Sequence, residues 1–159
     1  MLERILLAGT LVAGAAIGAA LPVWHSPPAG SPSEVSLTRG SDGQFYVDAD
    51  VNGHSTHFLV DTGASEIALS EADARAAGIA VDPASYELIG HGASGIVRGQ
   101  HVTIGRVDLD GIHERDVGAV VVPAATVSLL GQPFLEKLDE IVIRKDEMRL
   151  RYEGPATGQ

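Results

Sequence analysis

Two alternating runs, Phe45–Val51 and His54–Val60, flank the dipeptide Asn52-Gly53. Asn-Gly is the preferred pair for a two-residue type I′ turn, because both central positions need a positive φ that these residues tolerate. Such a turn leaves the hairpin one register. Pairing outward sets Val47 opposite Phe58 and Phe45 opposite Val60 on one face, and Asp48 opposite His57 on the other as a solvated charge pair. The second strand then ends at Val60 and delivers the chain onto Asp61-Thr62-Gly63-Ala64-Ser65. A carboxylate carried by a buried strand onto a Gly-permitted turn is a candidate acid/base. An Asp in that place also commonly caps a turn, so the surrounding chain must decide.

The remainder reads as short strands. Nineteen glycines and eight prolines in 159 residues supply many turns, and 45% apolar with 4% aromatic residues predicts a mainly aliphatic core. Val35–Thr38 alternates as a first strand, with Gly40–Gly43 as the turn after it. Beyond the Asp61 motif, Ile67-Ala68-Leu69 is a short apolar segment, and Ser70 reads as the N-cap of a helix of about two turns that Gly78 stops. Ile96–Ile104, Val107–Ile112 and Val117–Val122 read as strands, the last a continuous apolar run suited to a two-sided interior. Thr126–Gly131 is a buried strand ending in Gly, and Gln132-Pro133 opens a short helix to Leu138 with Pro at its first position. Glu140–Arg144 and Met148–Tyr152 form a terminal pair around Lys145-Asp146-Glu147.

Several functions are excluded. The net charge is -10 and no Lys/Arg cluster occurs, so nucleic acid is not an expected partner. The absence of cysteine removes disulfides, thiolate metal sites and cysteine nucleophiles together. Asp48-Ala49-Asp50-Val51-Asn52-Gly53 opens like an EF-hand loop, but Leu59 stands where the bidentate Glu belongs. Gly90-His91-Gly92-Ala93-Ser94-Gly95 spells a dinucleotide fingerprint, yet β-branched residues follow where a helix is required, so these glycines mark a hairpin tip. Ser94 is no nucleophile elbow, since Ile96 occupies the second Gly position. The six histidines show no ligand spacing, and no metal or cofactor is expected.

In order, the chain has a hairpin running into Asp61-Thr62-Gly63-Ala64-Ser65, a Gly-rich hairpin tip, and Leu129-Leu130-Gly131 before a short helix. This arrangement resembles the retropepsin-like aspartic proteases, and more narrowly their small bacterial members with an N-terminal membrane anchor. The resemblance spans Val35 to Tyr152. It implies an all-β fold, a small closed β-barrel with one or two short helices, and an aspartic endopeptidase acting on a protein or peptide. It assigns acid/base catalysis to Asp61, a hydrogen bond across a dimer to Thr62, and close substrate approach to Gly63. Ala64 and Ser65 would bind substrate, His91, Gly92, Ala93, Ser94 and Gly95 would form a closing flap tip, and Leu129, Leu130 and Gly131 would pack beneath the active-site turn.

Peptide hydrolysis by carboxylates uses two that share a proton, because like charges so close cannot both ionise. Only one Asp-Thr-Gly is present, so an enzyme of this kind requires a homodimer with Asp61 and its mate at the two-fold axis. Many viral members have Asp where Ser65 stands and Arg where Gln132 stands, so an ion pair that braces their dimers is missing here. That suits a weak dimer formed where membrane anchoring concentrates the chains. The alternative is an exported barrel that binds peptide without cutting it, or a dimerising module. The intact Asp-Thr-Gly argues against it, since a pure binder has no use for a carboxylate on the axis.

Residues Ile5–Trp24 carry no charge and are long enough to span a bilayer. They read as an uncleaved anchor, or as a signal peptide cleaved near Gly18-Ala19-Ala20. Arg4 places the N-terminus inside and the rest on the exported side. The expected layout is an anchor or signal segment at 1–24, a Pro/Gly/Ser linker at 25–33, the protease domain at 34–153 and a tail at 154–159.

Overall fold

The computed structural model describes residues 33–92 and 95–154. The segment expected as an anchor or signal peptide, nearly all of the expected linker, Ala93, Ser94 and residues 155–159 lie outside the described residues. Among the described residues no helix is long and apolar enough to cross a membrane.

The elements run β1 (Ser33–Thr38), β2 (Tyr46–Val51), β3 (His54–Val60), β4 (Ile67–Ser70), α1 (Glu71–Ala76), β5 (Glu87–Gly92), β6 (Gly95–Leu109), β7 (Ile112–Val122), β8 (Ser128–Leu130), α2 (Gln132–Leu135), β9 (Glu140–Arg144) and β10 (Glu147–Tyr152). Strands β2, β3, β8, β4, β7 and β6 neighbour one another in that order, and β2 pairs again with β6. Six strands therefore close into a barrel, which removes the free edges that an open sheet would leave. Strand β5 extends β6 beyond the barrel, and β1, β10 and β9 form a separate three-stranded sheet.

The β2–β3 hairpin takes the register read from its turn, with Val47 opposite Phe58 and Asp48 opposite His57. Asn52 and Gly53 have φ of 53° and 85°, as a type I′ turn requires. On the solvated face His57 lies 2.6 Å from Asp48 and stacks on Tyr46. The other face enters the core, where Phe58 joins Ile67, Leu69, Ile104, Leu130 and Phe134 in complete burial. Of the few aromatics, Phe45, Phe58 and Phe134 are buried and aliphatic side chains make up the rest.

Three local expectations need correction. Val107–Ile112 is not one strand: β6 runs to Leu109, and Asp110 and Gly111 turn the chain with φ of 45° and 91° into β7. Asp-Gly is the same kind of turn signal as Asn-Gly, obscured by β-branched flanks. Helix α2 has Gly131 as its N-cap, so Pro133 occupies its second position, where the missing N–H is equally harmless. In the last hairpin Glu147 pairs with Arg144, which leaves Lys145 and Asp146 alone as the turn. Helix α1 is one of the closer matches: Ser70 caps it by accepting from the Asp73 N–H, and Gly78 follows at φ 72°.

Surface carboxylates tie loops down. Arg75 first, then the Tyr86 hydroxyl, hold Glu71 below the ordinary value of 4.5. The Tyr86 hydroxyl donates to Glu71 at 2.9 Å, which joins the segment before β5 to α1. Tyr46 likewise lowers Asp42, and Arg149 lowers Glu147. A carboxyl lowered in the folded chain contributes stability that is complete above its unfolded pKa and is lost as the pH falls through the folded value. The stability difference between wild type and Glu71→Gln, followed by urea denaturation, is therefore expected at neutral pH and closes as the pH drops below the ordinary value of 4.5. Phe58→Ala, which empties a fully buried site, is expected to cost about 3–5 kcal/mol in the same assay.

Candidate active site

Strand β3 pairs in parallel with β8, Phe58 to Ser128 and Val60 to Leu130. The ladder continues one residue further, as the Asp61 N–H donates to the Leu130 carbonyl at 3.1 Å. The chain then turns. The Gly63 N–H donates to Asp61 Oδ1 at 2.9 Å and the Ala64 N–H to the Asp61 carbonyl at 3.2 Å. Asp61 is half-buried and Thr62 beside it is exposed.

This turn lies directly over Gly131. A Cβ there would fall inside van der Waals contact of the Glu66 and Ala64 carbonyl oxygens, so only glycine lets the two backbones meet. Gln132, one residue on, binds the turn twice. Its N–H donates to the Ala64 carbonyl at 2.9 Å and its side-chain Nε2 to the Thr62 carbonyl at 2.7 Å. The residue standing in place of an arginine is thus a neutral brace within the chain.

Beneath this, Asp73 Oδ2 accepts from Ser128 Oγ at 2.6 Å and from Ser70 Oγ at 2.7 Å, while the Ser70 N–H donates to Ser128 Oγ at 3.0 Å. Ser70 and Ser128 are buried, and buried hydroxyls with satisfied partners hold their elements in one arrangement. The α1 cap is in this way connected to β8, the strand that aligns Asp61. The sequence reading treats α1 as structural and does not see this connection, because Ser128 joins it from β8, next to β4 in the sheet but far from it in sequence.

Asp61 opens into a groove of about 410 Å³. Gly63, Ala64 and Ser65 line it, and Glu66 adds a second carboxylate that the sequence reading does not name. The walls are apolar: Ala68 from β4, Val120 and Val122 from β7, and Leu129 from β8. This explains the continuous apolar runs, since Ile67, Leu69 and Val121 fill the core while their neighbours face the groove. Across the opening stands the β5–β6 hairpin, with His91 paired to Ile96 and Gly92 to Gly95. Ile89, Gly90 and Val97, set back from that tip, line the groove. Strand alternation could have singled out Ile89 and Val97, but a register shift between Leu88 and Gly90 breaks the pattern. Among the described residues no group of three or more His, Cys, Asp or Glu side chains is placed to hold a metal.

Comparison with known proteins agrees with this geometry. Residues 47–137 match the family model described as "gag-polyprotein putative aspartyl protease". The chain is 38% identical over 122 residues to "Uncharacterized protein in cobV 5′region" of Sinorhizobium sp, covering 74% of this chain and 52% of that protein. It is 33% identical over 119 residues to "Uncharacterized protein RP867" of Rickettsia prowazekii (strain Madrid E), covering 75% and 52%. The chain thus spans about half the length of these curated relatives. The crystal structure of a retropepsin-like aspartic protease from Rickettsia conorii superposes with a TM-score of 0.66 at 30% identity, covering 78% of this chain and 94% of that one. The EIAV protease complexed with the inhibitor HBY-793 superposes with a TM-score of 0.51 at 19% identity, covering 63% and 92%, a likeness of fold alone. By the family match and the shared fold, this chain belongs to the retropepsin-like aspartic proteases.

Proposed function

We propose that the chain is an aspartic endopeptidase whose active site forms from Asp61 of two copies. The observation that carries this reading is the placement of Asp61: one carboxylate, held by backbone hydrogen bonds at the edge of an apolar groove. Asp61 can take or give a proton, but amide hydrolysis needs both acts in one step. Glu66, the other carboxylate of the groove, is exposed, and the partner carboxylate in this reading is Asp61 of a symmetry-related copy. In the dimer the ionised member of the pair removes a proton from water as the water attacks the peptide carbonyl. The protonated member gives its proton to the carbonyl oxygen. Collapse of the tetrahedral intermediate then returns a proton to the leaving nitrogen and breaks the C–N bond.

The groove suits an extended peptide with apolar side chains, whose burial against Ala68, Val120 and Leu129 holds the scissile bond beside Asp61. Thr62 serves to hold the two turns together across the axis, and the tip at His91–Gly95 to close over substrate and exclude water. The uncharged run Ile5–Trp24 anchors the chain in a membrane, with the barrel on the exported side, where its substrate is an exported protein or peptide.

Asp61→Asn is expected to keep the fold and the dimer and to lower peptide cleavage by at least about a hundred-fold, measured on a peptide library by mass spectrometry. Full cleavage by that variant would sink the proposal. Wild-type activity is expected to follow a bell-shaped pH profile, because only the singly protonated pair is competent. Gly131→Ala, which forces the Asp61 turn off β8, is expected to lower stability by at least about 1–3 kcal/mol and to abolish cleavage, read by denaturation and by the same peptide assay.

A further inference from the structure

We propose that Glu66 selects the peptide: its carboxylate receives a lysine or arginine side chain of the substrate, at one fixed distance from the bond that Asp61 cleaves. The inference rests on the endopeptidase reading of Asp61 and names the substrate class which that reading leaves open. Among the described residues that line the groove, Asp61 and Glu66 carry the only charges, and no lysine or arginine is present. The walls around them are apolar. None of the arginine–carboxylate pairs among the described residues includes Glu66.

The position of Glu66 follows from the backbone. Glu66 directly precedes β4, and Ile67, between it and Ala68, is fully buried in the core. With a period of two, Glu66 and Ala68 stand on the opposite side, and both line the groove. The Glu66 carbonyl lies so close to Gly131 that a Cβ there would meet its oxygen at 2.1 Å. The root of the side chain is thereby fixed to the same crossing that carries the Asp61 turn, while the residue stays exposed. An anchored root keeps one spacing from Asp61. Lysine and arginine suit such a place on two counts, since their methylenes pack on apolar walls while the charged head reaches a carboxylate at the lip.

The Asp61 pair is occupied by its shared proton and the attacking water, which leaves Glu66 to face a substrate charge. A peptide that covers the groove withdraws Glu66 from water, and that cost is offset only where the covering side chain is cationic or donates hydrogen bonds. A substrate glutamate at the same place would set like charges together and be rejected. The net charge of -10 draws cationic peptides to the whole molecule, but that attraction is indifferent to position along the peptide. Glu66 is not. A two-fold through the Asp61 pair sets a second Glu66 on the other side of the scissile bond, so the same preference recurs there at the matching distance.

Peptides with an apolar centre, carrying Lys, Gln or Glu at each flanking position in turn, test this with the full chain. Wild-type kcat/KM is expected to be at least about ten-fold higher for Lys than for Gln at one position on each side of the cut, with Glu lowest there. Added salt is expected to narrow that ratio. Glu66→Gln is expected to shrink the Lys-to-Gln ratio at those positions by at least about five-fold, and Glu66→Lys to reverse the order of Lys and Glu. Glu66 is exposed, so both variants are expected to keep the wild-type circular dichroism spectrum. A Lys preference that is absent, equal at every position, or retained in Glu66→Gln would overturn the proposal. So would complete loss of cleavage in folded Glu66→Gln, which would make Glu66 a catalytic carboxylate. Failure of the endopeptidase reading looks different: wild-type protein cuts none of the peptides at any pH. Binding of the same peptides, followed by fluorescence anisotropy, then decides. A position-dependent Lys preference that Glu66→Gln removes supports Glu66 as the selecting residue of a peptide binder, and its absence overturns that role.

Discussion

The contact on which the structure most depends is the crossing of the Asp61 turn over Gly131. It is a backbone-on-backbone approach with no room for a side chain, closed by the Gln132 N–H on the Ala64 carbonyl. Strand β3 brings Asp61, strand β8 receives it, and the crossing decides how the carboxylate leaves the sheet. Because every bond in it is local to the chain, the turn is formed before any partner arrives. The Gln132 amide adds a further bond to the Thr62 carbonyl without adding charge. An arginine at this place would carry a charge needing its own partner, whereas an amide is satisfied by the turn alone.

Closure of the barrel converts this crossing into a site. In an open sheet β4 and β7 would each have one face on the core and one in water. Here the second face of both forms the groove, which is why β4 is buried throughout and why Ala68 and Val120 are apolar. The serine and aspartate network under β8 keeps that wall in register with the α1 cap, so core, groove and turn respond together to a change at any of them. Charge sits elsewhere, on the outer face of the β1–β10–β9 sheet, where Glu34, Arg144, Arg149 and Arg151 surround a shallow concavity of about 220 Å³. Exposed ion pairs of this kind add little to stability, and their use lies in matching surfaces.

Much of this architecture can be read in the residues. The Asn52-Gly53 hairpin, its register and the emergence of Asp61 at its end all follow from one turn and the period of two. The Ser70 cap and the Gly78 stop of α1 follow from capping chemistry. Asp110-Gly111 carries the same turn chemistry but is hidden inside a β-branched stretch, so β6 and β7 are longer than pattern alone indicates. The groove lining is legible only at Asp61, Gly63, Ala64 and Ser65. Glu66 directly follows the motif, whereas Ile89, Val97 and Val120 reach the groove from elements distant in sequence, and a register shift in β5 disturbs the alternation that would have exposed Ile89.

The sequence by itself determined the carboxylate, its delivery by β3, the aliphatic all-β composition and the single occurrence of Asp-Thr-Gly. These are local or arithmetic properties: a turn type, a period, a motif present once. Only the tertiary structure decided which side of β4 and β7 faces the groove and that Gly131 lies beneath Asp61. It also decided that Asp73 reaches Ser128, and that the terminal strands close within one chain and leave β9 at an edge. Those facts arise from pairings between strands far apart in sequence, β3 with β8 and β4 with β7 in parallel, β4 with β8 and β1 with β10 antiparallel. No turn joins such strands directly, so their register is settled by packing of the closed barrel and not by any neighbouring residue.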